Sequence, residues 1–323
     1  MEYKQLGRTG LKVSVAGLGC GGNSKLGQGT GRSVAESVAL VRAAIDLGVT
    51  FIDTAEAYGT EDIVGESIST FPRASVVLST KSRVRRGAEL LSAAGVVESL
   101  DASLRRLRTD HVDVFHLHAV PPADYGHALE ILAPALLREK AKGKLRHLGI
   151  TETGPRDPKQ EMLTHAVTEP PWEVVMLAFH MMNQNARRLI LPTTQRRGVG
   201  TLLMFVVRNI FSRRDALARC MAELAASGQV PATLAAQAEP LSFLLHESGA
   251  SNLTDAAYRY ARHEPGVDVV LFGTGDTAHL RANVESIRRP KLPDADTARL
   301  ATLFGHLRGV GLDLPDPRPA MPA

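Results

Sequence analysis

Short runs that are almost continuously apolar recur along the chain, separated by segments whose apolar residues fall three or four positions apart. Val112-Asp113-Val114-Phe115-His116-Leu117-His118 and Asp268-Val269-Val270-Leu271-Phe272 are of the first kind, the pattern of strands covered by protein on both faces. The segment from Ser33 to Leu47 is of the second kind, with Val34, Val38, Val41 and Ile45 on one face and Ser33 with Glu36 as a capping box. Residues 2–20 read as a hairpin turning at Arg8-Thr9-Gly10, followed by a strand over 13–19 that ends in glycines. Further strands are predicted at 50–53, 75–81, 112–118, 145–150, 173–179, 199–205 and 267–273. Helices are predicted between and after them, near 61–70, 88–107, 126–142, 158–167, 186–193, 253–263 and 276–288, with a final helix at 295–309. With 13–19 as the first strand, this gives eight strands each followed by a helix, and so a closed (β/α)8 TIM barrel with an N-terminal β-hairpin.

The stretch 206–252, after the seventh strand, is too long for an ordinary barrel loop and carries a helical segment of its own at 213–227. It is expected to fold over a bound cofactor. The single domain is taken as 1–313, and the Pro-rich 314–323 as a disordered tail. A doubly wound open sheet is the competing architecture, because Gly17-Leu18-Gly19-Cys20-Gly21-Gly22 matches the G-x-G-x-x-G dinucleotide pattern. That pattern requires a helix to open at its third glycine, whereas 23–32 is Gly-rich, polar and reads as non-helical. The glycines are therefore read as a loop that lets backbone approach a ligand closely.

Composition adds little. A chain of 323 residues with 44% hydrophobic and 22% charged residues is an ordinary globular protein. The start has no apolar signal core and no run of 18 apolar residues occurs, so the expectation is a cytoplasmic protein that spans no membrane. Cys20 and Cys220 form neither a disulfide framework nor a metal-ligand spacing, and no metal is expected. The formal charge of +4 is scattered, not gathered in an aromatic-interleaved stripe, which argues against nucleic acid.

The chemistry lies at strand ends. Asp53 ends the second strand with Tyr58 five positions on, Lys81 ends the third and His118 the fourth. Barrel active sites are built at the C-terminal ends of strands. Lys81, held charged by Asp53, would stabilise a Tyr58 phenolate, and His118 would orient a substrate oxygen. His116, two residues deeper, is read as a satisfied interior histidine.

At this point the sequence resembles the aldo-keto reductase family over nearly its whole length. The resemblance is carried by Leu6-Gly7-Arg8-Thr9-Gly10-Leu11, Asp53-Thr54-Ala55-x-x-Tyr58-Gly59 with Gly65, Lys81, Asp113-x-x-x-x-His118, Gly143-Lys144-Leu145-Arg146, and Gly273-Thr274-Gly275 with His279 and Asn283. It implies an NADPH-dependent oxidoreductase (NADH possible) acting on a small carbonyl or alcohol, with Asp53, Tyr58, Lys81 and His118 catalytic. It further implies cofactor contacts from Gly19, Cys20, Gly21, Asp53, Thr151, Glu152, Met176, Met204, Phe205, Gly273, Thr274, Gly275, His279 and Asn283. The substrate pocket would use Asn23, Tyr58, His118, His180 and Phe211. Three departures from the family pattern stand out: Thr151-Glu152 where Ser-Asn is usual, Met176 where Gln is usual, and His279 where Arg is frequent. His279 and Arg281 are expected near the adenosine phosphate, at a helix opening near Asp276. Glu152 is expected either to accept a hydrogen bond from the nicotinamide amide or cap the helix that follows, or to favour the oxidised, positive nicotinamide. The alternatives are a nucleotide-binding regulatory protein of the same fold, as in potassium-channel β subunits, and a lyase or isomerase that recycles its nicotinamide. No obligate protein partner is evident.

Overall fold

The structure, a computed structural model, describes residues 1–312, so the expected tail lies outside the described residues. Two antiparallel strands, β1 (Tyr3–Gln5) and β2 (Lys12–Ser14), form the N-terminal hairpin. The predicted strand 13–19 is split: its first part belongs to this hairpin, and only β3 (Ala16–Gly19) enters the barrel. The remaining barrel strands are β4 (Phe51–Asp53), β5 (Val77–Arg83), β8 (Val112–His118), β9 (Leu145–Thr151), β10 (Val174–Ala178), β11 (Gly200–Met204) and β12 (Val269–Phe272). They close in the order β3-β4-β5-β8-β9-β10-β11-β12, every pair parallel. A small extra hairpin, β6 (Arg85–Arg86) with β7 (Glu89–Leu90), occupies the start of the predicted helix 88–107. That helix begins instead at Ala93, where the Ser92 hydroxyl caps the Gly95 amide.

Two apolar cores follow from the period of two. Phe51, Val77, Val114, Val174, Leu202 and Val269 point inward and pack with Leu6 and Val13, so the hairpin stoppers the barrel floor. Their neighbours Ile52, Leu78, Phe115, Val175, Leu203 and Val270 point outward and belong to the larger layer between strands and helices. The stopper fits because residues 7 and 200 lack side chains: a Cβ on Gly7 would lie 2.4 Å from the Gly200 nitrogen.

Helices otherwise follow the pattern within a few residues, and the Ser33/Glu36 capping box forms as expected. The helix predicted at 126–142 is interrupted by a π turn at Ala128–Leu132 ahead of Pro134, whose ring nitrogen cannot donate to the preceding turn. The stretch 23–32, expected to be non-helical, contains a 3-10 segment at Lys25–Thr30 kinked at Leu26 and Gly27, both with positive φ. The long stretch after β11 folds into short helices at Asn209–Ser212, Arg214–Ala226 and Ala232–Ala235.

Gly65, on the helix Glu61–Ile68, marks where this helix meets the end of the next: a Cβ there would lie 2.7 Å from the Arg106 carbonyl oxygen. In an open helix Gly→Ala stabilises by roughly 0.5–1 kcal/mol. Here overpacking should reverse the sign, and Gly65→Ala should lower stability by about 1–3 kcal/mol in urea unfolding. A stabilised variant would mean that the two helices do not touch as described.

Candidate active site

Continuing the inward register toward the C-terminal mouth places the chemistry without further assumption. Above Phe51 comes Asp53; above Val77 come Ser79, Lys81 and Arg83; above Val114 come His116 and His118. β5 runs two residues past Lys81, so this lysine lies inside the barrel and does not end the strand. Its ammonium donates to Asp53 Oδ2 at 2.7 Å and to the Thr54 carbonyl at 2.7 Å, while the Ser79 hydroxyl donates to Asp53 Oδ1 at 2.9 Å. Both members of the pair are buried.

Tyr58 sits on a 3-10 turn, Glu56–Tyr58, ended by Gly59 at φ 70°. Its ring lies over Gly21, where a Cβ would come within 2.6 Å of a ring carbon, so residue 21 must be glycine for the phenol to reach the site. Lys81 Nζ is 4.9 Å from the Tyr58 ring centroid, and the Tyr58 hydroxyl is 3.4 Å from His118 Nε2, with the two rings edge to face. The four residues from three neighbouring strands and one turn therefore converge.

Asp53, Tyr58 and His118 form the foot of a cavity of about 1540 Å³ whose wall continues through Thr151, Glu152, Met176, Met204, Phe205, Gly273, Thr274, His279 and Asn283, while Lys81 is fully buried and does not itself reach the wall. Asn23, Phe211, Gly19 and Gly21 also line it. Several expected site residues do not. Cys20 is fully buried and its thiol faces the packed interior, its amide donating to the Asp53 carbonyl at 2.8 Å. His180 lies behind the wall, fully buried against Phe211, with Nδ1 accepting from the Met182 amide. Gly275 is absent from the wall because it packs on Gly27, where a Cβ would lie 2.5 Å from Gly27 Cα. His116 is interior but not satisfied: neither ring nitrogen has a partner among the described residues, and Gly149 leaves it room.

The helix Thr277–Arg288 does not offer its amides to an anion as expected, because Asp276 Oδ1 accepts from the Ala278 and His279 amides and Oδ2 pairs with Arg32. Arg281 is exposed and off the cavity wall. Among the wall residues that the sequence reading does not name, Arg83 and Arg156 carry charge that is unpaired among the described residues. The period of two from Lys81 would have placed Arg83; nothing in the local pattern marks Arg156.

Comparison with known proteins gives the family. The model of the Aldo/keto reductase family matches residues 17–303. L-Galactose dehydrogenase of Arabidopsis thaliana is 30% identical over 300 residues, covering 89% of this chain and 88% of that protein. The chain belongs to the aldo/keto reductase family. Aldo-keto reductase YhdN of Bacillus subtilis (strain 168) is also 30% identical, over 213 residues, 63% of this chain and 61% of that one. The holo form of aldo-keto reductase AKR11C1 from Bacillus halodurans has the same fold, with a TM-score of 0.71 at 23% identity over 94% of this chain and 96% of that one. As a member of the family, the chain is an NAD(P)-dependent oxidoreductase.

Within this aldo-keto reductase site, burial pushes the Tyr58 phenol up, Lys81 pulls it down, and the net direction is up. The sequence reading had the lysine prevailing; in the structure desolvation outweighs it, which keeps the phenol protonated at neutral pH. Burial pulls the Lys81 ammonium down, but Asp53 and Tyr58 together carry it above its ordinary value. Burial pushes Asp53 up against Lys81 and Ser79. The short contacts on both carboxylate oxygens decide for an ionised pair. His118 is held well below the ordinary imidazole range by burial, then Lys81 and Arg83, and is neutral.

Glu152 is neither a helix cap nor a free carboxylate. Its Oε1 accepts from the Ala178 amide and from Gln160 Nε2 at 2.9 Å, while Oε2 is buried without a partner among the described residues. Burial pushes its pKa up to about 8, against those two hydrogen bonds. The folded value lies above the unfolded one, so the stability this proton brings is complete below about pH 4.5 and is lost as pH rises toward about 8. Urea midpoints should therefore fall for the parent between about pH 5 and pH 8.5 relative to Glu152→Gln, whose amide cannot ionise. Parallel pH curves for the two proteins would contradict a buried, protonated Glu152.

Proposed function

We propose that this oxidoreductase transfers a hydride reversibly between a nicotinamide dinucleotide and a small aldehyde, ketone, sugar or polyol, with Tyr58 as general acid in reduction and general base in oxidation. The observation that carries the reading is the buried Lys81 between Asp53 and the Tyr58 ring, with His118 on the other side of the phenol. A protonated phenol at neutral pH donates to a carbonyl oxygen, and the adjacent ammonium stabilises the phenolate that remains. A neutral His118 with its proton on Nε2 fixes that oxygen beside the Tyr58 hydroxyl. The dinucleotide, when bound, supplies or accepts the hydride.

The cavity supports this assignment by size and by lining. It exceeds the roughly 300–1,000 Å³ of a single small-molecule site, leaving room for cofactor and substrate together. Thr151, Glu152 and Met176 at the ends of β9 and β10 would hold the nicotinamide end, the orphaned Glu152 Oε2 being the polar atom that awaits a partner. Met204 and Phe205 would flank it, Gly19 and Gly21 would admit it closely, and Gly273, Thr274, His279 and Asn283 would take the adenosine end under residues 206–252. With Asp276 spending its carboxylate on the helix amides, His279 is the one basic residue of that helix on the wall, so NADPH should be favoured over NADH only weakly. The substrate range includes sugars because a relative is named for L-galactose. No described helix is long and apolar enough to cross a membrane, and we read the protein as a cytoplasmic enzyme needing no protein partner.

Tyr58→Phe should lower the turnover of a simple aldehyde by roughly 100-fold or more while leaving the dinucleotide dissociation constant within about threefold. Steady-state kinetics with fluorescence titration of NADPH and NADH measures both, and the two cofactors should bind within about tenfold of each other. Near-normal turnover in the variant would remove Tyr58 from its role.

A further inference from the structure

Four carboxylic residues line the cavity, Asp53, Asp124, Glu152 and Glu239, and each has a partner. Asp53 holds Lys81, Asp124 holds Arg85 through two 2.7 Å contacts, Glu239 pairs with Arg214, and Glu152 binds the Ala178 amide and Gln160. The cations are not matched in the same way. Arg83 and Arg156 line the same cavity, and neither guanidinium has an ion pair or hydrogen bond among the described residues. Their positions are specific. Arg83 is the next inward position above Lys81 and the direct register partner of His118. Arg156 follows β9, the strand on the other side of β8, so the two arginines come from the strands that flank the one carrying His118.

The residues assigned to the cofactor come mainly from β9 to β12 and β3, and β5 lies directly across the closed barrel from β11. Arg83 therefore stands on the wall facing the substrate side of Tyr58. We infer that Arg83, assisted by Arg156, forms an anion-recognising subsite, and that the substrate is a carbonyl or alcohol compound carrying a carboxylate or phosphate beyond the reacting carbon. This rests on the oxidoreductase reading above. A guanidinium offers a planar pair of donors to either group, and with no internal acid to satisfy it the fork stays available. Arg83 is a substrate-positioning residue and takes no proton in the reaction.

The test compares kcat/KM for 4-carboxybenzaldehyde with benzaldehyde, and for glyceraldehyde 3-phosphate with glyceraldehyde, in the parent, Arg83→Gln and Arg83→Lys. The parent should prefer at least one charged aldehyde by about tenfold, through KM, and less at about 0.3 M KCl. Which pair carries the preference distinguishes carboxylate from phosphate. Arg83→Gln should bring that ratio close to one, and Arg83→Lys should restore part of it. Equal ratios in parent and Arg83→Gln overturn the inference, as does a variant that loses affinity for NADPH with its aldehyde ratios unchanged, which would place Arg83 on the cofactor. Should none of the four aldehydes turn over, the proposed Tyr58-assisted reduction of small carbonyls fails instead. Calorimetric binding of 4-(hydroxymethyl)benzoate against benzyl alcohol then still decides the subsite: tighter binding of the anion in the parent and not in Arg83→Gln supports it, and equal binding overturns it.

Discussion

A charged lysine buried inside the barrel governs the rest of the site. Removing an ammonium and a carboxylate from water costs several kcal/mol each, and their attraction repays this only where the remaining hydrogen-bonding capacity is met. Here Lys81 has the Thr54 carbonyl as well as Asp53, and Asp53 has Ser79 as well as Lys81. An apolar pair of similar volume would serve the fold as well or better. What the ion pair provides is a fixed positive charge under the Tyr58 ring, which opposes the desolvation of the phenol and disfavours protonation of both His116 and His118. One charge thus sets the protonation state of its neighbours.

Much of this was legible in the sequence, and the reason is periodicity. A parallel barrel strand is buried on both faces, so it reads as an apolar run, and any polar residue inside the run must face the interior or a partner. That is why Asp53, Lys81 and His118 stood out and why they converge. The eightfold alternation survived small errors at element ends, since a closed barrel is fixed by the number and order of its units. The hairpin junction was misread because Lys12–Ser14 and Ala16–Gly19 have the same local pattern and differ only in which strand they pair with.

The misplaced residues fail for a related reason. Cys20 and His180 lie near the right strand ends, but spacing along a loop does not reveal which way a side chain turns, and both turn into packed protein. Acidic type alone leaves Glu152 open between a charge and a hydrogen-bonding role, whereas its protonation is decided by burial, against the Ala178 amide from the neighbouring strand and Gln160 from the following loop. Asp276 looked like part of an anion site and is itself the anion that fills the helix end.

Lys81 lowers the phenol pKa against burial by more than Asp53 raises it. Replacing both members of the ion pair together, in Lys81→Met with Asp53→Asn, avoids stranding a buried charge. The decisive measurement is the pH dependence of single-turnover alcohol oxidation, where Tyr58 must be deprotonated to act as base. In the double variant the rising limb should move to higher pH by about one unit or more, with slower turnover at every pH. A limb at the same pH in both proteins would mean that the ion pair does not control the phenol, and the central claim would be wrong.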